Sequence, residues 1–319
     1  MSGPHWAHSD ITTLSDGRLV TFSPDNRVML VLGPDGELLA SPTADVVSAH
    51  GVTAGTGEDG QDVVWVADPA TGTAPDGRGG YEPVREGRHG RAVALRLDGT
   101  VERELPLPPQ PVYDRHRFEP TAVLPVAATG EVWVSDGYGQ RLIHRYGAGG
   151  DYLGPVEASR DGAFRCPHAM ALDDSEGEVR IIVADRENNR LVALDPDGAL
   201  IGTVAERLRK PSSVALHEGS LLVGELEASF AHLDRAGRLI QRVGLDEVAP
   251  LRPEWPNTVD ARGATVAPAP PPGRFNSPHG ITVDGRGRVH VVEWLLGGRH
   301  MLLTRGAGGY ALAPADWTE

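Results

Sequence analysis

Apolar and polar residues alternate along short stretches of this chain, and each stretch ends at a turn. The clearest case is Gly280-Ile281-Thr282-Val283-Asp284, followed by the turn Gly285-Arg286-Gly287-Arg288 and by Val289-His290-Val291-Val292-Glu293. A period of two marks strands whose successive side chains face opposite sides of a sheet. The unit recurs as Arg18-Leu19-Val20-Thr21-Phe22, Val63-Val64-Trp65-Val66-Ala67-Asp68, Val132-Trp133-Val134-Ser135-Asp136, Val183-Ala184-Asp185 with Leu191-Val192-Ala193-Leu194, and Leu221-Leu222-Val223-Gly224-Glu225. Asp-Gly pairs at 35–36, 98–99 and 197–198, with Arg-Ala-Gly at 235–237, mark hairpin turns late in the units. Six repeats of four strands predict an all-β chain, a six-bladed β-propeller with four-stranded antiparallel blades, read as a single domain over 1–319.

Two segments interrupt the pattern. Residues 69–91 form a Gly/Asp/Arg-rich insertion in the second unit, and 245–277 form a Pro-rich connection before the sixth. Both read either as solvated excursions or, since long loops on a rigid scaffold often carry binding contacts, as a lid or substrate wall over the ring mouth. The 40 glycines and 26 prolines fit many short strands joined by turns. A formal net charge of −14 argues against nucleic acid as a partner. No run of 18 apolar residues exists to span a membrane as a helix. Cys166 is the one cysteine, so no internal disulfide forms, and the first residues lack a basic stretch followed by an apolar core. The expectation is a cytoplasmic protein with no membrane partner. Any protein partner is left open.

Candidate chemistry comes from three histidines. Ala49-His50-Gly51, Pro167-His168-Ala169 and Pro278-His279-Gly280 open the second, fourth and sixth units. In a closed ring every second blade then points an imidazole at the axis, a donor set suited to a divalent metal with an open coordination position. The loops 136–141, 185–190 and 293–298 return to the same face, which brings Tyr138 and Arg186 within reach. Asp68, Asp136, Asp185, Glu225 and Glu293 recur at one register, and repetition in every blade favours a turn-stabilising role. His5 and His8 stand at the entry to the first unit, where they either add a ligand or fray, and fraying is the preferred reading. Cys166 is read as a buried structural thiol, and His144, His217 and His232 as ordinary strand residues.

Ser135-Asp136-Gly137-Tyr138-Gly139, Val183-Ala184-Asp185-Arg186-Glu187-Asn188-Asn189-Arg190 and the three histidine openings resemble the peptidyl-α-hydroxyglycine α-amidating lyases, within the wider group of NHL-repeat six-bladed propellers. The resemblance runs through 45–310 and is strongest over 119–195. It implies zinc, Zn2+, or another divalent transition metal held by His50, His168 and His279, with Tyr138 as base and Arg186 holding a substrate carboxylate. The family's calcium aspartate follows the third histidine, where this chain has Gly280; that argues against Ca2+. The family's blade-one arginine has no clear match in Phe22-Ser23-Pro24-Asp25-Asn26, and whether Arg27 replaces it stays open. The expected activity is a metal-dependent lyase that cleaves C–N in a carbinolamine-like or other small hydroxylated substrate, small-molecule or peptide-like. The alternatives are a non-catalytic NHL-type scaffold for protein binding and a propeller hydrolase of the lactonase class, which uses a carboxylate- and asparagine-rich calcium site.

Overall fold

The strand Asp62–Asp68 shows why the repeats stack. Its Val64 and Val66 enter one apolar cluster with Val20, Phe22 and Val31, while Val63, Trp65 and Ala67 enter another with Val123, Val132 and Val134. Alternation therefore buries both faces of one sheet against two different neighbours. In the strand Arg180–Asp185, Ile181 and Val183 face one way and Ile182 and Ala184 the other.

The computed structural model describes residues 5–313 apart from 77, 128, 161, 162, 176 and 178. Six four-stranded antiparallel sheets follow one another. Blade one comprises Thr12–Thr13, Leu19–Phe22, Met29–Leu32 and Leu38–Ala40. Blade two comprises Gly51–Thr56, Asp62–Asp68, Arg91–Leu95 and Val101–Glu104. Blades three, four and five run over Ala122–Pro155, Pro167–Ala205 and Pro211–Val243, and blade six over Pro278–Leu312. The chain is a six-bladed β-propeller. Inner strands of all six blades line a central channel of about 210 Å³.

Five apolar clusters join neighbouring blades from one–two through five–six. Among the described residues, none of these clusters crosses the seam between blades six and one. That joint carries a hydrogen bond between Thr13 Oγ1 and Thr282 Oγ1 (2.9 Å) and ion pairs from Arg286 and Arg288 to the exposed Asp35 (2.5 and 3.4 Å). Among the described residues, no strand is exchanged between the two blades.

Both interruptions fold locally. Within 69–91, Thr71–Pro75 pairs with Tyr81–Arg85; within 245–277, Thr258–Val259 pairs with Thr265–Val266. The two excursions meet where the Thr265 N–H donates to the Gly79 carbonyl at 2.6 Å.

The recurrent acids are buried clamps. Asp68 accepts from the N–H groups of Val47 and Ser48, Asp136 from Glu119, Asp185 from Arg165 and Cys166, Glu225 from Arg209, and Glu293 from Asn276 and Ser277. Each holds the chain just upstream of a blade opening, which fixes the residue that faces the axis. Asp185 also binds Arg190 at 2.9 Å. Asp185→Ala strands those donors and is expected to lose about 3 kcal/mol, the low end for a broken buried pair because Arg190 is partly solvated. Chemical denaturation measures it; a loss under about 1 kcal/mol contradicts the clamp role.

Candidate metal centre at the ring axis

Two of the three openings carry a local irregularity that aims their histidines. Pairing skips from Pro167 to Ala169 opposite Asp185 and Ala184, and from Pro278 to Gly280 opposite Glu293 and Val292. A bulge of this kind re-aims the extra residue, here His168 and His279. His50 sits just before the strand Gly51–Thr56, its N–H bound to the Ala67 carbonyl.

The structure brings all three together. Ring centroids are 4.8 Å apart for His50–His279, 4.9 Å for His50–His168 and 5.0 Å for His168–His279, and all three side chains are buried. Each ring donates its Nδ1–H to a backbone carbonyl on the next blade. His50 reaches Thr121 (2.8 Å), His168 reaches Ser212 (2.6 Å) and His279 reaches Ser9 (3.3 Å). A carbonyl only accepts, so the proton sits on Nδ1 and the Nε2 lone pair is left free, as in metal-ligating histidines. The hydroxyls of Thr121 and Ser212 in turn bond the carbonyls of Pro167 and Pro278, which precede the next two histidines. Histidine and small hydroxyl residues thus alternate around the axis.

Tyr138 reaches the centre of this group. Its Oη lies 2.9 Å from His50 Nε2, 3.1 Å from His168 Nε2 and 3.2 Å from His8 Nε2. Gly137 makes this approach possible, since a Cβ there would stand 2.5 Å from Thr121 Oγ1 and 2.6 Å from the Pro167 carbonyl. Arg186 Nη1 donates to the same phenol oxygen at 3.4 Å, and its guanidinium carbon lies 5.4 Å from the ring centroid. Arg186 Nε also binds Glu187 at 3.0 Å, and its N–H is held by the Cys166 carbonyl. Cys166 is buried, with its thiol pushed up to about 11 by burial. That state suits a structural thiol.

His8 departs from expectation. It does not fray: its ring centroid is 4.7 Å from both His50 and His279, and one ring nitrogen from each of these three residues lies within 4.8 Å of the others, close enough to share a metal ion. The preceding chain is pinned on both sides, by Ala7 N–H to the Leu295 carbonyl and His8 N–H to Asn26 Oδ1. Periodicity could not reveal this, because the first unit opens with His8-Ser9, where the third to sixth have proline then histidine or a hydroxyl residue and the second has Ala49-His50. Above His8, Trp6 stacks on Trp294 (5.5 Å) and meets Tyr81 edge-on (5.7 Å), while Trp255 meets Trp294 (5.8 Å). Both excursions therefore contribute to an aromatic wall beside the site. Arg27 turns away, its guanidinium 3.7 Å from Glu86 and more than half exposed. At Gly280 a Cβ would lie 2.0 Å from Asp10 Oδ1, so Asp10 fills the space a side chain would need.

The electrostatics favour neutral imidazoles. Burial holds His50 down at about 3, and burial with neighbouring imidazoles and Arg186 holds His8, His168 and His279 well below the usual value. Burial pushes the Tyr138 phenol up to about 12, with Arg186 pulling the other way. The donor set fits a divalent transition ion on two further counts. His279 Nε2 is buried with no hydrogen-bond partner. In addition, the single phenol proton of Tyr138 cannot satisfy both facing lone pairs of His50 and His168.

Depressed imidazoles make the metal-free protein acid-sensitive. Stability is fully present above about pH 6.5, the unfolded histidine value, and is lost as pH falls toward the folded values. Asp10 and Asp136, raised by burial to about 8 and about 7, oppose this. Eight depressed histidines, His8, His50, His144, His168, His232, His279, His290 and His300, outnumber those two carboxylates. The melting temperature of metal-free protein is expected to fall steadily from pH 6.5 to 4.5; a flat profile would contradict neutral burial.

Comparison with known proteins places this geometry in context. No protein-family model matches the chain. Peptidyl-glycine alpha-amidating monooxygenase B of Xenopus laevis is 36% identical over 89 residues, covering 26% of this chain and 10% of that protein. Peptidylglycine alpha-amidating monooxygenase of Rattus norvegicus is 34% identical over 95 residues, covering 28% and 10%. The aligned stretch thus spans about a tenth of these curated relatives. Among solved structures, a gluconolactonase from Xanthomonas campestris superposes with a TM-score of 0.59 at 15% identity, covering 97% of this chain and 87% of that one. Virginiamycin B lyase from Staphylococcus aureus gives 0.52 at 14% identity, with 92% and 94% covered. At such identities the structural likeness establishes the fold, and the proteins it resembles are enzymes.

Proposed function

We propose that this chain is a metal-dependent lyase of the amidating-lyase type, acting in the axial mouth on a small or peptide-like substrate. The substrate carries hydroxyl and nitrogen on one carbon, with a carboxylate beside it. The observation that carries this reading is the convergence of Tyr138 Oη on His50 Nε2 and His168 Nε2, with Arg186 against the same oxygen.

His50, His168 and His279 would hold the ion, zinc being the best match and other imidazole-binding ions fitting the same donors. When bound, such an ion supplies Lewis-acid stabilisation of charge developing on a substrate oxygen. The protein's residues supply the rest. Carbonyls of Thr121, Ser212 and Ser9 lock each imidazole's tautomer and direction. Arg186 offers a planar fork to a carboxylate and favours the phenolate of Tyr138. Tyr138 Oη then takes the substrate hydroxyl proton. As the carbonyl forms, the C–N bond breaks, and the leaving nitrogen keeps the bonding pair and takes a proton. The products are a carbonyl compound and an amide or amine. Trp6, Tyr81, Trp255 and Trp294 restrict water on one side of the mouth.

The lactonase reading needs a carboxylate-rich axis, whereas imidazoles crowd this one. A negative chain with a single buried cysteine supports a cytoplasmic small-molecule enzyme without nucleic-acid or membrane partners. The direct test is zinc-loaded protein incubated with an N-acyl-α-hydroxyglycine, with glyoxylate and the primary amide measured. Both products in equal amounts support the reading; loaded protein that releases neither overturns it.

A further inference from the structure

Resting on the axial metal reading, the geometry points to His8 as a fourth imidazole donor, which caps the site until a substrate anion displaces it. Three observations carry this. First, the nitrogens of His8, His50 and His279 lie within 4.8 Å of one another, while His168 Nε2 approaches Tyr138 Oη from the same centre. Second, His279 Nε2 is buried without a partner and His8 is the ring against it, so an ion drawn to that lone pair has His8 at hand. Third, His8 reaches the axis differently from the other three.

His50, His168 and His279 stand at blade openings, each fixed through Nδ1 to the neighbouring blade. His8 sits on a strap of residues 5–10 that crosses the mouth outside any sheet apart from one isolated bridge, Trp6 to Leu296. Its end is held firmly, Ser9 by Thr21, Phe22 and the His279 ring and Asp10 by Thr21 and the His50 carbonyl, whereas residues 5–8 are tied through three backbone groups: Ala7 N–H to the Leu295 carbonyl, His8 N–H to Asn26 Oδ1, and Gly297 N–H to the His5 carbonyl. The rings of Trp6 and His8 add contacts with Trp294, Tyr81 and Tyr138. Three rigid donors and one on a detachable strap make a set that is closed at rest and open after one exchange. Four nitrogen donors complete a tetrahedral zinc shell, whereas catalysis needs one position free. Displacement of His8 supplies that position. Arg186 next to Tyr138 makes an anion the fitting displacer.

The test uses the full chain loaded with one equivalent of Co2+, whose visible spectrum reports coordination number. Wild type is expected to show the intense bands of a four-coordinate site that change only at high azide. His8→Ala is expected to keep one Co2+ per chain with weaker bands, and to respond to azide at concentrations at least ~10-fold lower. Its metal affinity in chelator competition should fall at least ~10-fold, since loss of an outer partner alone costs a ligated site ~10–100-fold. Trp6→Ala, which keeps the imidazole and loosens the strap, should shift the azide response the same way by less. One Co2+ per chain with identical spectra and azide response in wild type and His8→Ala overturns the His8 proposal and leaves the axial site standing. Absence of bound Co2+ in folded wild type overturns both.

Discussion

Tyr138→Phe is expected to lower kcat by about 10²–10⁴-fold, the usual worth of a positioned proton acceptor, while metal content stays at one per chain. The two results separate because the substitution removes one oxygen and nothing else. That oxygen is the atom 2.9–3.4 Å from His50, His168, His8 and Arg186. The phenyl ring still fills the space above Gly137, and each imidazole keeps its bond to a backbone carbonyl. Steady-state kinetics with metal analysis on the same sample decide it. Loss of metal along with activity would make Tyr138 a metal-site residue, and unchanged kcat would remove it from the chemistry.

Zinc is expected to raise the melting temperature of the metal-free protein by about 6 °C when free zinc is about 1,000 times Kd. The linkage contributes about 4 kcal/mol there, and a chain of this length has an unfolding entropy near ~0.7 kcal/mol/K. A bound ion would tie together His50, His168 and His279, which belong to blades two, four and six, so unfolding any of these blades would surrender it. His168→Ala should abolish most of the shift, because a buried donor cannot be replaced by the methyl group. Differential scanning calorimetry with and without zinc measures this. An equal shift in the variant would place the ion elsewhere.

Much of this was legible in the sequence because it repeats. Alternation in units such as Val63–Asp68 and Val289–Glu293 dictated the strands, and the Asp-Gly turns ended them. Recurrence of histidine at alternate openings identified the axial rings, and the hairpin topology brought Tyr138 and Arg186 to the same face. The acids were read as structural because they recur, and each indeed holds backbone N–H groups. What occurs once escaped. For His8, fraying was preferred over an added ligand, since nothing in a 2-period or blade-period pattern says that a strap will cross the mouth. The aromatic wall gathers Trp6, Tyr81, Trp255 and Trp294 from four distant segments, and only tertiary packing assembles them. The paired strands inside 69–91 and 245–277 were hidden because Gly- and Pro-rich composition masks two-residue strands such as Thr258–Val259.

The joint between the first and last blades gives the molecule a predictable weak point. Every other junction is cemented by apolar clusters that added electrolyte does not loosen, but this one joins hydrogen bonds such as Thr13–Thr282 with ion pairs from Arg286 and Arg288 to an exposed carboxylate on Asp35. Charges in water at that separation are shielded as ionic strength rises. High salt should therefore let the toroid part at its two ends first, and hydrogen exchange in the strands flanking that gap would quicken before exchange elsewhere.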